Sequence, residues 1–94
     1  MTGSSVADVR SMILMCVRTA MDAHGLAAAE LTDEVDLRTS GLVDSLGFVQ
    51  LLAKIEVLLG QPVDLGDMDP DELTVLGPLA AHIARIASHG PQAV

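Results

Sequence analysis

Aromatic and basic residues are scarce in this chain of 94 residues. One phenylalanine is its whole aromatic content, so the core must be built from aliphatic side chains, and half of all residues are hydrophobic. Five Lys and Arg residues stand against thirteen Asp and Glu residues, which gives a net charge of −8. Nucleic acids and anionic membrane surfaces repel so acidic a chain. We therefore expect neither as a partner, and favour a protein with a basic docking patch.

Cysteine and long hydrophobic runs are scarce as well. The single cysteine, Cys16, excludes an intramolecular disulfide and any metal site that needs several cysteines. It lies in an apolar stripe with no His or Lys beside it in sequence, which is typical of a small core residue. The apolar run at residues 12–17 is too short to cross a bilayer, and the first five residues lack the basic stretch of a secretory signal. These absences predict a cytoplasmic protein.

Catalytic and metal-binding patterns are also missing. None of the three histidines, His24, His82 and His89, is spaced with a carboxylate or cysteine for a metal site. We place His82 on the outer side of the last helix. A hydrolase needs a cleft and an oxyanion hole, and the chain has no G-x-S-x-G motif. The acidic residues 64–72 do not follow the order of an EF-hand loop, which favours helix capping and a solvated face. We expect neither an enzyme nor a metal site.

Hydrophobic spacing predicts three longer helices and a short one. The longer helices cover residues 5–24, with Ser4 or Ser5 as the cap, then residues 45–59 and residues 78–88. A one-turn helix is expected at residues 69–73, where Asp69 can cap and Pro70 can start the turn. The fold class is therefore all-α: a small four-helix bundle that forms a single domain over residues 1–94. We expect an ordered core at about residues 5–88, with frayed ends at 1–4 and 89–94.

A long connection (residues 26–44) joins the first two predicted helices. Nineteen residues without their own helix are many for so small a domain, so the connection must pack on the helices or serve function. Its apolar residues are the expected anchors: Leu31, Val35, Leu37 and Leu42.

The helix predicted over residues 45–59 is apolar around most of its circumference. One face is the expected core face: Phe48, Leu51, Leu52, Ile55, Leu58 and Leu59. A second apolar stripe lies on another side: Leu46, Val49, Ala53 and Val57. A helix on the surface of a small bundle does not need two apolar faces. Either the helix is central, or the second apolar stripe docks on a partner.

Ser45 stands at the head of this apolar helix, after Gly41 and a short loop. Serine is a preferred N-cap, so capping alone can explain its presence there. A phosphate on the same hydroxyl would lie at the helix N-terminus, where unpaired N–H groups and the helix dipole favour an anion. The sequence alone leaves both roles open.

The residues around Ser45 resemble the modification motif of acyl and peptidyl carrier proteins, in which Asp-Ser-Leu starts the second helix. The matching stretch here is Gly41-Leu42-Val43-Asp44-Ser45-Leu46-Gly47-Phe48-Val49-Gln50-Leu51-Leu52. The resemblance covers nearly the whole chain, since the order of helices, the long connection and the acidic segment also agree. It implies that Ser45 carries 4′-phosphopantetheine, transferred from coenzyme A by a phosphopantetheinyl transferase that supplies the metal and the base.

The resemblance also implies partners and a recognition surface. A loading enzyme, adenylating or acyltransferring, and downstream biosynthetic enzymes would use the thioester that the arm's thiol forms with an acyl or aminoacyl group. The recognition residues carried over from the family are Asp44, Leu46, Val49, Gln50, Ala53, Glu56 and Val57. Fatty-acid carriers usually have acids along this face, whereas Gln50, Val57 and Lys54 depart from that pattern.

These departures favour a freestanding monomeric carrier of a specialised pathway, of the D-alanyl carrier, nonribosomal-peptide or type II polyketide kind. The alternatives are a fatty-acid acyl carrier and, outside the family, an unmodified helical adaptor whose second apolar stripe docks on a partner. A small hydrolase would need a second catalytic group that the sequence does not offer. A sequestered cargo would be lined by the second and third helices, at Phe48, Leu52, Ile55, Met68 and Leu73, although each of these residues also suits a simple core.

Overall fold

Four α-helices make up the fold in the computed structural model. The structure describes residues 5–89, and of His89 it describes the backbone alone. The helices are α1 (Val6–Cys16), α2 (Arg18–Ala23), α3 (Ser45–Leu59) and α4 (Leu76–His89), with a 3-10 turn at Ala28–Glu30. The described residues contain no strand beyond an isolated antiparallel bridge between Asp36 and Val75. The all-α, four-helix prediction is confirmed. The expected frayed ends lie, apart from the His89 backbone, outside the described residues.

The first predicted helix is divided in two at Val17. Ser5 caps it through a reciprocal pair of bonds: the Ser5 hydroxyl accepts from the Asp8 N–H at 3.1 Å, and the Asp8 carboxylate accepts from the Ser5 N–H at 3.2 Å. Val17 departs from helical geometry, with φ −101° and ψ 10°. Its N–H still donates to Ile13, and its carbonyl still accepts from Met21. α1 and α2 therefore follow one another through a single irregular residue whose side chain is buried.

The hydrophobic core is centred on α1, which packs most extensively on α4 and also on α3. Its side chains are aliphatic, as the composition requires. The largest of those that are fully buried are Val9, Ile13, Leu31, Leu37, Ile55, Leu76, Leu79 and Ile83. No helix among residues 5–89 has both the length and the apolar character needed to span a membrane.

The long connection packs back onto the helices, as predicted. Leu31, Leu37 and Leu42 are buried, and Val35 is half-buried against the core. The same segment pairs with the chain that leads into α4: the Leu37 N–H donates to Thr74 at 2.8 Å, and the Leu76 N–H donates to Val35 at 2.9 Å. These bonds tie together the two connections that flank α3.

Asp36 strengthens this pairing. Its Oδ1 accepts from the Thr74 hydroxyl at 2.8 Å, the Arg38 N–H at 2.9 Å and the Thr39 N–H at 3.2 Å. Burial on its own raises the pKa of the Asp36 carboxyl, but the bonds from Thr74, Thr39 and Arg38 outweigh it and leave the pKa below its ordinary value. The charged carboxylate is thus the form that holds the connections together.

The lowered pKa of Asp36 predicts a loss of stability in acid. The contribution of Asp36 is present above its unfolded pKa of about 3.9 and is lost as the pH falls through its lower folded pKa. Asp36→Asn should be less stable than the wild type at pH 7, and its stability should change less between about pH 5 and about pH 2. Urea unfolding across this range measures the effect. Asp67→Asn, at an exposed position, controls for the loss of one charge; equal pH profiles for the wild type and Asp36→Asn would contradict the prediction.

Gly77 is required because the long connection passes directly over it. The Gly77 N–H donates to the Asp33 carbonyl at 2.9 Å. A Cβ on residue 77 would lie 2.6 Å from Asp33 Cβ and 3.0 Å from Asp33 O. Glycine at this place in the first turn of α4 therefore permits a backbone approach that any other residue would block.

Gly77→Ala should destabilise the protein by about 2 kcal/mol, the usual size of an overpacking penalty. The sign of this stability change is informative, because a Gly→Ala substitution inside an unobstructed helix stabilises a protein by roughly 0.5–1 kcal/mol. Thermal and urea melts measure it. Asp33→Gly removes the nearest clashing atom, so a double-mutant cycle should show that part of the loss is recovered. A Gly77→Ala variant as stable as the wild type would refute the close approach.

The short helix expected at residues 69–73 does not form. Asp69 starts only a turn, in which its Oδ1 accepts from the Asp71 N–H at 2.9 Å. The bonds that follow, Glu72 N–H to Asp69 and Val75 N–H to Glu72, are isolated turns. The helix cannot continue because Thr74 and Val75 are drawn into pairing with the long connection. The fourth helix of the bundle is instead α2, the second piece of the first predicted helix.

His82 is buried, so its predicted place on the outer side of the last helix is wrong. Its side chain is 7% exposed, because the acidic connection (residues 60–75) folds over this side of α4. Its Nε2 lies 2.7 Å from the Asp64 carbonyl, and its Nδ1 lies 3.0 Å from Arg85 Nη2. A carbonyl only accepts and an arginine only donates, so Nε2 carries the proton and Nδ1 accepts. His82 thereby anchors the acidic connection to α4.

Candidate functional site

Ser45 is the first residue of α3, and its side chain is exposed. The N-cap is the residue before it: Asp44 has extended backbone geometry, and its Oδ1 accepts from the Gly47 N–H at 2.6 Å. The capping role that the sequence also allowed for Ser45 therefore belongs to Asp44. This arrangement leaves the Ser45 hydroxyl available for chemistry at the start of the helix.

The loop before Ser45 is held by backbone hydrogen bonds. Gly41 has φ +87°, a conformation that side chains with a Cβ rarely adopt, and its N–H donates to Arg38 at 3.0 Å. The Val43 N–H donates to Leu37 at 3.0 Å, and Leu42 is buried. The loop is thus fixed on the core by one side chain and on itself by the turn. Ser45 projects from a defined platform rather than from a long free loop.

A cavity of about 450 Å³, here called the loop cavity, opens beside the start of α3. Its wall is formed by Arg38, Gly41, Leu42, Val43, Asp44 and Gly47. Gly47 leaves room for the Asp44 cap, because a Cβ on residue 47 would lie 3.0 Å from Asp44 Oδ1, closer than an ordinary van der Waals contact. The loop cavity is thus bounded by backbone, two aliphatic side chains, one carboxylate and one guanidinium, and Asp44, the residue before Ser45, forms part of its wall.

The two faces of α3 differ as the sequence predicted, with one exception. Leu51 and Ile55 are buried, and Phe48, Leu52 and Leu59 pack against the core, as does Met68 from the acidic connection. Leu58, predicted in the core face, is 51% exposed. The buried arc is centred on the side of Ile55 and Phe48, so Leu58 lies at its margin in the last turn. Close packing of Phe48, Leu52, Ile55 and Met68 agrees with their role as simple core residues.

The second apolar stripe faces solvent. Val49 is 62% exposed and Val57 81% exposed, and Leu46 and Ala53 are exposed as well. Of the six large hydrophobic side chains exposed within residues 5–89, four belong to α3: Leu46, Val49, Val57 and Leu58. α3 is therefore not a central helix, and the first of the two explanations for its apolar circumference is wrong.

Charged groups are sparse on α3. Gln50 and Lys54 are exposed, whereas Glu56 is half-buried and its Oε2 accepts from the Val63 N–H at 2.8 Å. Glu56 thus secures the chain just after α3. Lys54 lies near enough to Cys16 to act on its thiol. Burial raises the pKa of Cys16 and the Lys54 charge only partly offsets it, so the thiol stays protonated and behaves as the core residue expected.

Sequence reasoning missed two residues of this site. The sequence predicts only a recognition role for Asp44, because serine and aspartate are equally good caps and sequence does not show which of two neighbours starts a helix. Arg38 was not singled out at all. Its signal was its rarity, as one of five basic residues in the chain and seven positions before Ser45. Among the described residues no group of three or more His, Cys, Asp or Glu side chains is arranged for a metal ion.

Comparison with known families identifies the chain. The family described as a phosphopantetheine attachment site matches residues 17–83, more than two thirds of the sequence and a span that includes α3. Comparisons with curated proteins and with solved structures give no match.

Domains of this family bear 4′-phosphopantetheine covalently and meet a phosphopantetheinyl transferase and biosynthetic enzymes. The geometry fits such a group, since an exposed hydroxyl stands at a helix start, where free N–H groups favour an anion. The chain belongs to the phosphopantetheine-attachment family of carrier domains.

Proposed function

We propose that this protein is a freestanding carrier that bears 4′-phosphopantetheine on Ser45 and passes a thioester-bound acyl or aminoacyl intermediate between the enzymes of a specialised biosynthetic pathway. One observation carries the proposal: within the span that matches the family, Ser45 presents an exposed hydroxyl at the first position of α3 while Asp44 makes the cap. The protein is then a substrate of its partner enzymes and not itself an enzyme.

The chain's own part in the modification is to supply and orient one oxygen. Ser45 Oγ forms the new bond to phosphorus, the coenzyme A phosphoanhydride breaks to release the nucleotide, and the hydroxyl proton leaves to a base of the transferase. Asp44 holds the first turn, and the free N–H groups and dipole at the start of α3 stabilise the negative charge of the phosphodiester. The bound group supplies a terminal thiol for the thioester.

The proposed recognition surface is the exposed side of α3. It comprises Asp44, Leu46, Val49, Gln50, Ala53, Glu56 and Val57. Exposed apolar side chains along one helix are costly in water unless a partner covers them, which supports this role. Glu56 contributes differently from the others, because its carboxylate is engaged by Val63. With Asp44 engaged as the cap and Glu56 bonded to Val63, the centre of the surface is apolar, and Lys54 is an exposed charge of α3 outside it.

This chemistry favours a specialised pathway over fatty-acid synthesis. A partner of a fatty-acid carrier presents basic groups to an acidic helix, and α3 offers such groups little to bind. The partners proposed are a phosphopantetheinyl transferase, a loading enzyme that adenylates or transfers an acyl group, and downstream enzymes, with the protein acting as a monomeric domain in the cytoplasm. Its charge of −8 weighs against nucleic acid and membranes as partners.

The deciding experiment is intact mass spectrometry after incubation with coenzyme A and a promiscuous phosphopantetheinyl transferase. We expect the mass to rise by one phosphopantetheinyl group, located on the peptide that contains Ser45. An unchanged mass, with a known carrier modified in the same reaction, would favour the alternative of an unmodified adaptor, which the exposed stripe of α3 also supports. A panel of adenylating and acyltransferring enzymes applied to the modified protein then identifies the cargo class.

A further inference from the structure

Arg38 is the basic residue that lines the loop cavity. It also lines a second, neighbouring cavity together with Asp36, Thr39 and Thr74. Arg38 therefore lies between the paired connections and the start of α3. Its side chain is exposed, and it shares the loop cavity with Asp44, the residue directly before Ser45.

The backbone of Arg38 is held at both ends. Its N–H donates to Asp36 Oδ1 at 2.9 Å, and its carbonyl accepts from the Gly41 N–H at 3.0 Å. The first bond belongs to the pairing of the two connections, and the second belongs to the turn before Ser45. These bonds fix the Arg38 backbone relative to the loop, and its side chain lines the loop cavity from there.

The guanidinium is not engaged by a carboxylate within the described part of the chain. The ion pair found there joins Arg10 to Asp33 at 3.1 Å, and Arg85 bonds His82. Arg18 lines a different cavity, on α1 and α2, and shares none of its lining with the loop cavity. Among the described residues, Arg38 is thus the arginine that shares the loop cavity with Asp44, the residue before Ser45.

The local charges make a cation useful at this position. A phosphodiester on Ser45 adds a negative charge next to the Asp44 carboxylate in a chain that already carries −8. The Asp44 carboxylate is held at the start of α3, because its Oδ1 accepts from the Gly47 N–H. Two negative groups held close together repel unless a positive group lies near both.

We propose that the Arg38 guanidinium binds the phosphodiester carried by Ser45 and so holds the base of the arm against the loop cavity. The proposal rests on the proposed function, since it requires the modified serine. A guanidinium presents two parallel N–H donors to phosphate oxygens, a geometry that lysine cannot match. The contact neutralises the charge beside Asp44 and orients the arm along the cavity wall.

NMR of the modified protein tests the contact directly. In the wild type, the Arg38 Nε–H resonance should shift between the unmodified and modified proteins, while that of Arg18 stays in place. In Arg38→Gln, the ³¹P resonance of the phosphodiester should move from its wild-type position. Arg18→Gln is the matched control, because it removes the same charge from an exposed arginine at a different cavity and should leave the ³¹P resonance unchanged. Arg38→Lys should give an intermediate shift.

The outcomes separate this inference from the proposed function. If mass spectrometry shows no modification of the wild type, the proposed function fails. If the wild type is modified but its Arg38 Nε–H resonance does not shift and Arg38→Gln has the wild-type ³¹P resonance, the inference about Arg38 fails alone. Slower modification of Arg38→Gln with an unchanged ³¹P resonance would also overturn it, because Arg38 would then serve the transferase. The wild-type comparison decides even if a variant folds poorly.

Discussion

Ser45→Ala is expected to abolish the phosphopantetheinyl mass increment completely while leaving the fold intact. In the proposed modification the Ser45 hydroxyl oxygen bonds to phosphorus, and alanine offers no substitute for that oxygen. The variant should also keep its stability, because the cap of α3 is Asp44 and not Ser45. Intact mass and a thermal melt of the same sample measure both effects.

Two variants serve as controls for the serine. Ser11→Ala removes an exposed hydroxyl on α1 and should be modified as the wild type is. Asp44→Ala keeps Ser45 but removes the cap, so it should lose about 1 kcal/mol of stability. Ser45→Ala should melt closer to the wild type than Asp44→Ala does. A Ser45→Ala variant that still gains the full phosphopantetheinyl mass would show that the attachment is on another residue, and the assignment of Ser45 would be wrong.

The second large effect separates the two faces of α3. Leu51 is 3% exposed, so Leu51→Asp buries a charge without a partner and should unfold the protein, whose total stability is of the order of 5–15 kcal/mol. Val49→Asp introduces the same charge at an exposed position and should change stability by no more than about 0.5 kcal/mol. If the second apolar stripe is the recognition surface, Val49→Asp should nevertheless slow transfer about tenfold or more, since charge at an interface centre is costly.

Thermal melts and transferase rates together distinguish the possible results. Thr19→Asp places the same charge on an exposed position of α2 and should change neither the melting temperature nor the transferase rate. If Val49→Asp melts as badly as Leu51→Asp, the stripe is part of the core. If Val49→Asp melts normally and is modified at the wild-type rate, the stripe does not contact the transferase. A normal melt with slow transfer, beside a normal Thr19→Asp, is the result we expect.

The features predictable from sequence were those that depend on local periodicity. The apolar spacing of α1, α3 and α4 located the helices to within a few residues, and Leu31, Leu37 and Leu42 were recognised as anchors because a polar loop has no other use for them. The motif around Ser45 coincides with the start of α3, where Ser45 is the first residue. α4 begins two residues before the expected start because Leu76 already belongs to the helix, and the Gly-Pro pair, which looked like a boundary, lies within its first turn.

The features that failed depend on contacts between distant segments. Helix spacing alone could not reveal that the acidic connection would cover His82, since Asp64 is eighteen residues away. The expected short helix was lost because Thr74 pairs with Leu37, across 37 positions of sequence. Leu58 has the right spacing for the core face, but the packing of α3 places its turn at the margin. The loop cavity likewise forms only on tertiary folding, so the sequence alone could not predict that Arg38 and Asp44 line the same cavity.

The electrical neutrality of α3 has a kinetic consequence. Its Lys54 and Glu56 cancel, so the net charge of −8 lies entirely on the rest of the chain, with five acids in the acidic connection alone. Long-range attraction acts over distances of about a Debye length, roughly 8 Å at physiological ionic strength, whereas apolar contact acts only on touching surfaces. The acidic remainder of the chain would attract an enzyme that has basic groups around an apolar pocket, and the exposed apolar side of α3 would then bind it. Added salt would then lower the association rate much more than it raises the dissociation rate.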